Sequence, residues 1–308
     1  MPDDHGALHQ FLSALAAGQQ LTLEDWPSAA ASPDGFALAP DPVSRVLNWP
    51  QQPDWLDAGQ ISAALTGSAV EVLHAVDSTN TRLVNFAQSR DVHRDVCLAE
   101  CQLSGRGRRG KSWVSPYARN LAMSIGWRID RTGNELGGLS LAVGLGLLTG
   151  LQRLDLPNAR LKWPNDIHLG NAKLCGILVE LVQSAGLGTQ VVAGMGVNVD
   201  IGSTEEQSIE QRVTDLRRHG VTQTRSELVV MLLKDVFEAL EIFATQGFEP
   251  FIEPFNAAHK LHGEACYVIQ GERKIFGTVK GVGESGELIM DTDQGEQRFH
   301  GGEVSLRA

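Results

Sequence analysis

The sequence has little of what marks membrane, extracellular or zinc-binding proteins. Its 308 residues include four cysteines, none in a CxxC pair, so we expect buried thiols in a reducing cytoplasm rather than disulfides or a zinc site. Residues 136–152 carry no charge but fall short of the roughly 20 apolar residues that a membrane helix needs. The N-terminus lacks a basic start followed by an apolar run. We therefore expect a cytoplasmic protein without a membrane partner.

Positive charge is scarce and unevenly distributed. The chain has 26 Lys and Arg against 37 Asp and Glu. Residues 1–66 contain eight acidic residues and one base, Arg45. Nucleic-acid binding needs cations that neutralise phosphates, so we expect no nucleic-acid partner for this segment. Residues 106–111 instead crowd three arginines and a lysine together, which indicates a small anionic ligand.

The composition and hydrophobic patterning of the chain predict three parts. Residues 1–66 are rich in Ala, Pro and Asp, which is typical of a small acidic appendage with short helices at 7–17 and 57–65. Residues 67–262 alternate strand-like and helix-like patterns. Residues 263–308 contain short alternating segments separated by glycines, which predicts a small barrel or sandwich of about five strands. The fold class is therefore α+β.

Hydrophobic periodicity predicts the elements of the middle part. Residues 121–127 alternate large and small side chains, which indicates a strand with one crowded face. Strands are predicted at 71–76, 96–102, 121–127, 160–163, 166–169, 172–182 and 190–199. Helices are predicted after residues 77–80, within 136–154, and from Ser226 as the N-cap to Gly247 as the stop.

The run Gly-Arg-Gly-Arg-Arg-Gly at 105–110 follows a predicted strand and has the spelling of a dinucleotide-binding loop. That interpretation fails, because residues 111–116 are poor helix formers and no acidic residue lies about 20 positions further on. Three glycines and several arginines instead predict a loop that is mobile when empty and orders around a phosphate-bearing ligand. The alternative is a solvated basic turn.

A second motif is a predicted hairpin around Gly-Asn at 170–171. Its register places His168 opposite Lys173, and Asp166 diagonal to Lys173 at roughly 7–8 Å. Such a pair could hold Mg²⁺ or orient the lysine toward developing charge, and a purely structural ion pair is an equal alternative. His168 is predicted to be a surface residue.

A third motif is Gly-Met-Gly-Val-Asn at 194–198. Glycines inside an apolar strand predict close approach of a ligand or another backbone. The amide of Asn198 could then contact the edge of a base. The alternative is a strand packed tightly against a helix.

Together these motifs resemble the biotin–protein ligase family. Order and spacing fit from about residue 70 to 262, and residues 298–304 resemble the family's SH3-like C-terminal barrel. The resemblance implies a mixed β-sheet flanked by helices, related to class II synthetase catalytic domains, plus that barrel. The matching segments lie at 77–80, at Gln102 with 105–110, at 162–166, at 173–180 and at 194–198.

The resemblance also implies residue roles. The polar head of biotin would be bound by Ser78, Thr79, Asn80 and Gln102. The loop that closes over biotin and the adenylate would be formed by Arg106, Gly107 and Arg108. The catalytic residues would be Lys173, Arg108 and Asp166. In this scheme Lys173 contacts the biotin carboxylate and the reacting phosphate, and Asp166 organises Mg²⁺. Asn198 would lie near adenine, and Trp113 would wall the biotin pocket.

The implied reaction uses ATP and biotin as substrates with Mg²⁺, forms biotinyl-5′-AMP, and biotinylates a lysine of a biotin carboxyl carrier protein. A homodimer is a possible assembly. Three rivals remain: a lipoate–protein ligase, a biotin-sensing repressor and a non-catalytic adenylate-binding module. The Gly/Arg loop and the C-terminal part favour biotin, the acidic N-terminal part argues against a repressor, and the three catalytic residues argue against a non-catalytic module.

Overall fold

The chain is built around β-sheets, as a computed structural model shows. The structure describes residues 4–27, 36, 38–40, 44, 47–49, 53–131, 133–184, 188–270, 272–300 and 304–307. The strands are β1 (Ala39–Pro40), β2 (Leu47–Asn48), β3 (Ala69–Leu73), β4 (Asp95–Ala99), β5 (Leu121–Ile129), β6 (Ala159–Lys162), β7 (Asp166–Leu169), β8 (Ala172–Ser184), β9 (Gly188–Val197), β10 (Ala265–Gln270), β11 (Arg273–Val282), β12 (Leu288–Thr292), β13 (Gly295–Phe299) and β14 (Val304–Arg307). The helices are α1 (Asp4–Ala16), α2 (Ala58–Ala64), α3 (Thr79–Ala87), α4 (Leu139–Gln152), α5 (Ser203–Gln207), α6 (Arg225–Gln246) and α7 (Ile252–Ala258).

The central sheet has seven strands in the order β3-β4-β5-β9-β8-β7-β6. Strands β3 and β4 pair in parallel, and the remaining neighbours pair antiparallel. This mixed sheet flanked by helices confirms the predicted catalytic-domain fold class. Each predicted strand of the middle part is present; the strand at 166–169 has the predicted bounds, and the others differ at one or both ends.

The two faces of the sheet differ in side-chain size. Leu98 and Met123 belong to the main hydrophobic core, together with residues of α4 and α6. Helix α3 packs on the opposite face, where its Leu83 lies with Cys97 and Ala122. The crowded face predicted for residues 121–127 is confirmed, since successive strand residues point to opposite sides. The small face of β5 leaves room beside α3 for a cavity.

The predicted start of the long helix was wrong by two residues. Thr224 is the N-cap of α6, and its side chain and that of Glu227 form a reciprocal capping box. Ser226 lies inside the helix, where its hydroxyl accepts a hydrogen bond from the backbone N–H of Asp57 at 2.8 Å. Gly247 ends the helix as predicted.

The C-terminal part is a five-stranded antiparallel sheet in the order β13-β12-β11-β10-β14. Within the described residues no ladder joins the edge strands β13 and β14, so the predicted closed barrel is not confirmed. The turn between β6 and β7 contacts the loop between β11 and β12, where the indole N–H of Trp163 donates to the carbonyl of Gly286 at 3.0 Å.

The N-terminal part packs against the central domain. Helix α1 and the aromatic residues Phe36 and Trp49 share a cluster with Cys101 and Tyr117, whereas Ile61 of α2 belongs to the main core. Arg45 lies outside the described residues. The boundaries of the three parts stay a prediction. No helix in the described ranges is long and apolar enough to cross a membrane.

Candidate active site

A cavity of about 200 Å³ lies on the small-residue face of the central sheet. Strands β8 and β9 form its floor. The walls are formed by α3, the Gly/Arg loop and residues 162–166. The predicted site residues in its lining are Ser78, Thr79, Asn80, Gln102, Arg106, Gly107, Arg108, Asp166 and Lys173, with Trp113 beside them. Residues more than 90 positions apart are therefore brought together.

One end of the cavity is a network of uncharged polar groups at the start of α3. Ser78 caps the helix through its side chain. The backbone N–H and the hydroxyl of Thr79 both donate to Oε1 of Gln102, at 2.9 and 3.1 Å. Because that oxygen is occupied, Nε2 of Gln102 remains as a donor for a ligand. Ser124 Oγ lies 2.6 Å from Oδ1 of Asn80.

The other end contains the predicted charged pair. The register of β7 and β8 places His168 opposite Lys173, as predicted, and a bulge between Ile167 and His168 follows. Lys173 Nζ lies 2.8 Å from Asp166 Oδ1, so the long lysine side chain spans the diagonal between the two positions, as predicted. Burial opposes ionisation of Asp166, but the ammonium group of Lys173 outweighs it, so the pKa of Asp166 lies below its usual range. The two side chains therefore form an ion pair at neutral pH.

His168 was wrongly predicted to be a surface residue. It is 5% exposed. Within the described residues its ring nitrogens have no hydrogen-bond partner, and Nε2 lies 3.9 Å from Asp166 Oδ2. Burial lowers the pKa of His168 despite the neighbouring carboxylate, so the ring is neutral and adds no charge to the site.

The glycines of β8 and β9 make room for side chains of the site. A methyl group on Gly194 would lie 2.2 Å from Oδ1 of Asn80, and one on Gly196 would lie 2.3 Å from the indole of Trp113. Such distances are far below a normal contact, so neither position tolerates a Cβ without movement. The prediction named a ligand or another backbone as the close neighbour, but the groups next to these glycines are the side chains of Asn80 and Trp113.

The Gly/Arg loop folds over the cavity as a short hairpin. The N–H of Trp113 donates to the carbonyl of Gly105 at 2.8 Å, and the N–H of Gly107 donates to that of Lys111 at 2.6 Å. A 3-10 turn at Arg108–Gly110 closes the hairpin. No α-helix opens here, which agrees with the rejection of a dinucleotide-binding loop. The predicted ordering of this loop by a ligand stays a prediction.

The two inner arginines of the loop reach opposite ends of the cavity. Arg106 Nη2 lies 3.0 Å from Glu180 Oε2, near Asn80. Arg108 Nη1 donates to Oδ1 of Asn165 at 3.3 Å, on the Asp166 side. Burial and the charge of Arg109 lower the pKa of Arg108, but an arginine remains charged in proteins. The charge of Arg106 is thus paired with Glu180 beside the uncharged end, whereas Arg108 adds positive charge on the Asp166 side.

Asn198 is the predicted site residue that the cavity lining does not include. It is 3% exposed, and its Nδ2 donates to the carbonyl of Thr214 at 3.1 Å. Its amide therefore holds neighbouring backbone in place, and the contact with adenine stays a prediction.

Sequence reasoning assigned no role to several polar residues of the site, among them Ser124 and Asn165 in the cavity lining and Glu180 beside it. Ser124 lies on the small face of β5, and this polar residue in an otherwise apolar strand was the available signal. Asn165 and Glu180 fall within matching segments, but their partners are distant in sequence, so nothing local assigned them a role.

Comparison with known proteins places the chain in a family. A profile described as "Biotin/lipoate A/B protein ligase family" matches residues 72–198, and one described as "Biotin protein ligase C terminal domain" matches residues 261–307. The chain belongs to this ligase family. The bifunctional ligase/repressor BirA of Escherichia coli is 34% identical over 288 residues, which cover 93% of this chain and 86% of BirA.

Further relatives and solved structures agree with this assignment. The biotin–[acetyl-CoA-carboxylase] ligase of Paracoccus denitrificans is 33% identical to this chain. The similarity covers 76% of this chain and 98% of the Paracoccus ligase. The biotin protein ligase from Aquifex aeolicus in complex with biotin and ATP is similar in structure, with a TM-score of 0.66 and 30% identity. That similarity covers 78% of this chain and 98% of the Aquifex chain.

Proposed function

We propose that this protein is an ATP-dependent biotin–protein ligase. The main support for the proposal is that the two ends of one cavity differ in charge. Uncharged hydrogen-bonding groups lie around Thr79 and Gln102 at one end, and the cations of Lys173 and Arg108 lie at the other. Biotin has the matching chemistry, because its ureido head is polar and uncharged while its carboxylate is anionic. The family and the similar structure with biotin and ATP support the same substrates.

In the first step, the biotin carboxylate attacks the α-phosphate of ATP, giving biotinyl-5′-AMP and pyrophosphate. Two anions must meet, so the barrier is largely electrostatic. Lys173 and Arg108 offset the negative charge, and the ionised Asp166 holds the lysine in position. Trp113, which lies over Gly196, shields the mixed anhydride from water.

In the second step, the ε-amine of an acceptor lysine attacks the acyl carbon of the adenylate, and AMP leaves. We propose a biotin carboxyl carrier protein as this partner, since relatives are named as ligases for acetyl-CoA carboxylase. The four buried, unpaired thiols support a cytoplasmic location. Homodimer formation stays a prediction.

Magnesium fits this site as an ion brought by ATP. Asp166 supplies a buried carboxylate, but no cluster of three His, Cys, Asp or Glu able to hold a metal occurs among the described residues. Mg²⁺ in nucleotide sites is usually held by one or two carboxylates together with substrate phosphates. Asp166 would therefore hold the ion, and the ion would supply charge neutralisation at the phosphates.

ATP–pyrophosphate exchange, measured with biotin and with lipoate in parallel, tests the proposed function. We expect exchange that depends on biotin and stays near background with lipoate. Exchange with lipoate but not biotin would establish the rival ligase, and exchange with neither would refute adenylate chemistry.

A further inference from the structure

Glu180 is a carboxylate of β8 to which neither the reaction nor the motifs assign a task. Its side chain is 28% exposed and lies beside the uncharged end of the cavity. Arg106 Nη2 donates to both carboxylate oxygens, at 3.2 and 3.0 Å, and Asn80 Nδ2 donates to Oε2 at 2.8 Å. One side chain therefore joins the Gly/Arg loop to the start of α3.

The contact with Glu180 completes the hydrogen bonding of the Asn80 amide. One amide hydrogen is donated to Glu180 and the other to the carbonyl of Leu178 at 3.2 Å. The amide oxygen consequently faces Ser124, whose Oγ lies 2.6 Å away. Ser124 also lies 2.7 Å from Thr79 Oγ1, which donates to Gln102. The hydrogen-bond network that orients the polar end of the cavity therefore runs from Glu180 through Asn80, Ser124 and Thr79 to Gln102.

The contact with Arg106 ties the loop to the sheet. Arg106 and Arg108 are separated by one residue, and they bind Glu180 of β8 and Asn165 respectively. An ionised carboxylate accepts several hydrogen bonds and donates none, so it can serve an arginine and an amide together. Charge-assisted bonds of this kind are stronger than bonds between neutral groups.

We propose that Glu180 is a positioning residue, which keeps the Gly/Arg loop closed over the cavity and fixes the orientation of the Asn80 amide. This inference rests on the proposed function for its kinetic part. Glu180 touches neither reacting atom, so it acts on substrate retention through Arg106 and Asn80. Closure of the loop and order at the polar end are thereby coupled through one carboxylate.

The test is Glu180→Gln, which keeps the shape of the side chain, removes its charge and sets an amide NH₂ group against one of its two donors. We expect the KM for biotin in pyrophosphate exchange to rise about five- to tenfold, with kcat within about twofold, because a partly exposed charged hydrogen-bond pair contributes modestly. We also expect faster tryptic cleavage within residues 106–111.

The matched control is Glu71→Gln. Glu71 forms a pair with Arg82 of similar exposure on the same side of the sheet, but Arg82 does not line the cavity, whereas Arg106 and Asn80, the partners of Glu180, do. The Glu71→Gln variant should leave the KM for biotin and the rate of loop cleavage unchanged, even if it changes the Tm. Glu180→Asp, which keeps the charge, should lie between the wild type and Glu180→Gln.

Two results would overturn the inference: an unchanged KM and unchanged loop cleavage in Glu180→Gln, or an equal rise in KM in the Glu71→Gln control. Failure of the proposed function would look different, since the wild type itself would then show no biotin-dependent exchange. The cleavage comparison would still show whether Glu180 holds the loop.

Discussion

At the scale of single residues, Lys173 is the cation on which the proposed neutralisation of biotin and ATP depends most. Replacing it by alanine removes the cation that Asp166 holds at 2.8 Å in the cavity. We expect Lys173→Ala to lower biotin-dependent pyrophosphate exchange by at least about 100-fold, which is typical for the loss of a preorganised charge at a transition state.

Lys260→Ala is the control for this change. Lys260 binds the carbonyl of Gly170 and the side chain of Asn171 at the tip of the same hairpin, outside the cavity. It should retain near-normal exchange. Near-normal exchange in Lys173→Ala would reject the assigned role.

His259 makes stability depend on pH. Burial lowers its pKa from 6.5 to about 3 in the folded protein. As pH falls below 6.5 the unfolded chain takes up a proton that the folded protein does not. The contribution of neutral His259 to the free energy of unfolding is therefore complete above pH 6.5. It is lost as the pH falls toward 3, at about 1.4 kcal/mol per pH unit.

His259→Phe removes the titrating group and keeps a ring against Phe255, on which His259 stacks. Urea unfolding between pH 7 and 4 should show a shallower loss of unfolding free energy in this variant. His74, whose pKa burial lowers to about 4, should maintain part of the slope. Identical slopes in both proteins would contradict the assignment.

At the scale of elements, the N-terminal aromatic cluster supports the loop. Tyr117 lies just beyond the Gly/Arg loop, and its hydroxyl is 2.7 Å from Nδ1 of His74. It also packs against Phe36 and Trp49. The position of the loop's C-terminal end thus depends on residues from the N-terminal part.

Tyr117→Ala should lower the unfolding free energy by about 3 kcal/mol, as is typical for loss of a buried aromatic ring, and should raise the KM for biotin. Tyr117→Phe keeps the packing and should show smaller changes in both. Chemical denaturation and exchange kinetics measure the two effects. An unchanged KM in Tyr117→Ala would show that the cluster does not position the loop.

The sequence was most informative where local rules and tertiary packing agree. The hairpin of β7 and β8 was predictable in register because Gly170-Asn171 sets the turn and alternation sets the faces. The burial of His168 was not predictable, because the burial of a strand residue depends on tertiary packing that the local sequence of the hairpin does not encode. The helix start was missed because two nearby residues can cap and only the Thr224–Glu227 pair is reciprocal.

The candidate site was predictable as a set of residues but not as a network. Nine predicted residues line one cavity, since motifs preserve residue type and order. Their hydrogen-bond partners, such as Glu180 for Asn80, lie 100 positions away in the chain. No local pattern encodes such a pairing, and the placement of Asn198 beside Thr214 is another example.

At the scale of the whole molecule, the N-terminal part raises the question of DNA binding. The similarity to the E. coli ligase/repressor covers 93% of this chain, so it extends into residues 1–66. That segment nevertheless carries eight acidic residues and one base, which disfavours contact with phosphates. We predict no specific operator complex.

A gel-shift selection on genomic fragments, with biotin and ATP present and between 50 and 200 mM salt, checks this prediction. The expected result is no retarded fragment. A sequence-specific shift that weakens with salt would contradict it and would assign a regulatory role to the N-terminal part.

The proposed function requires one cavity to bring a carboxylate and a nucleotide together. The most direct measurement is a single-turnover reaction of purified protein with biotin and magnesium ATP, followed by mass spectrometry of the bound small molecules. We expect one biotinyl-5′-AMP per active site and an equal amount of pyrophosphate. Absence of the adenylate, or pyrophosphate release that does not depend on biotin, would contradict the account.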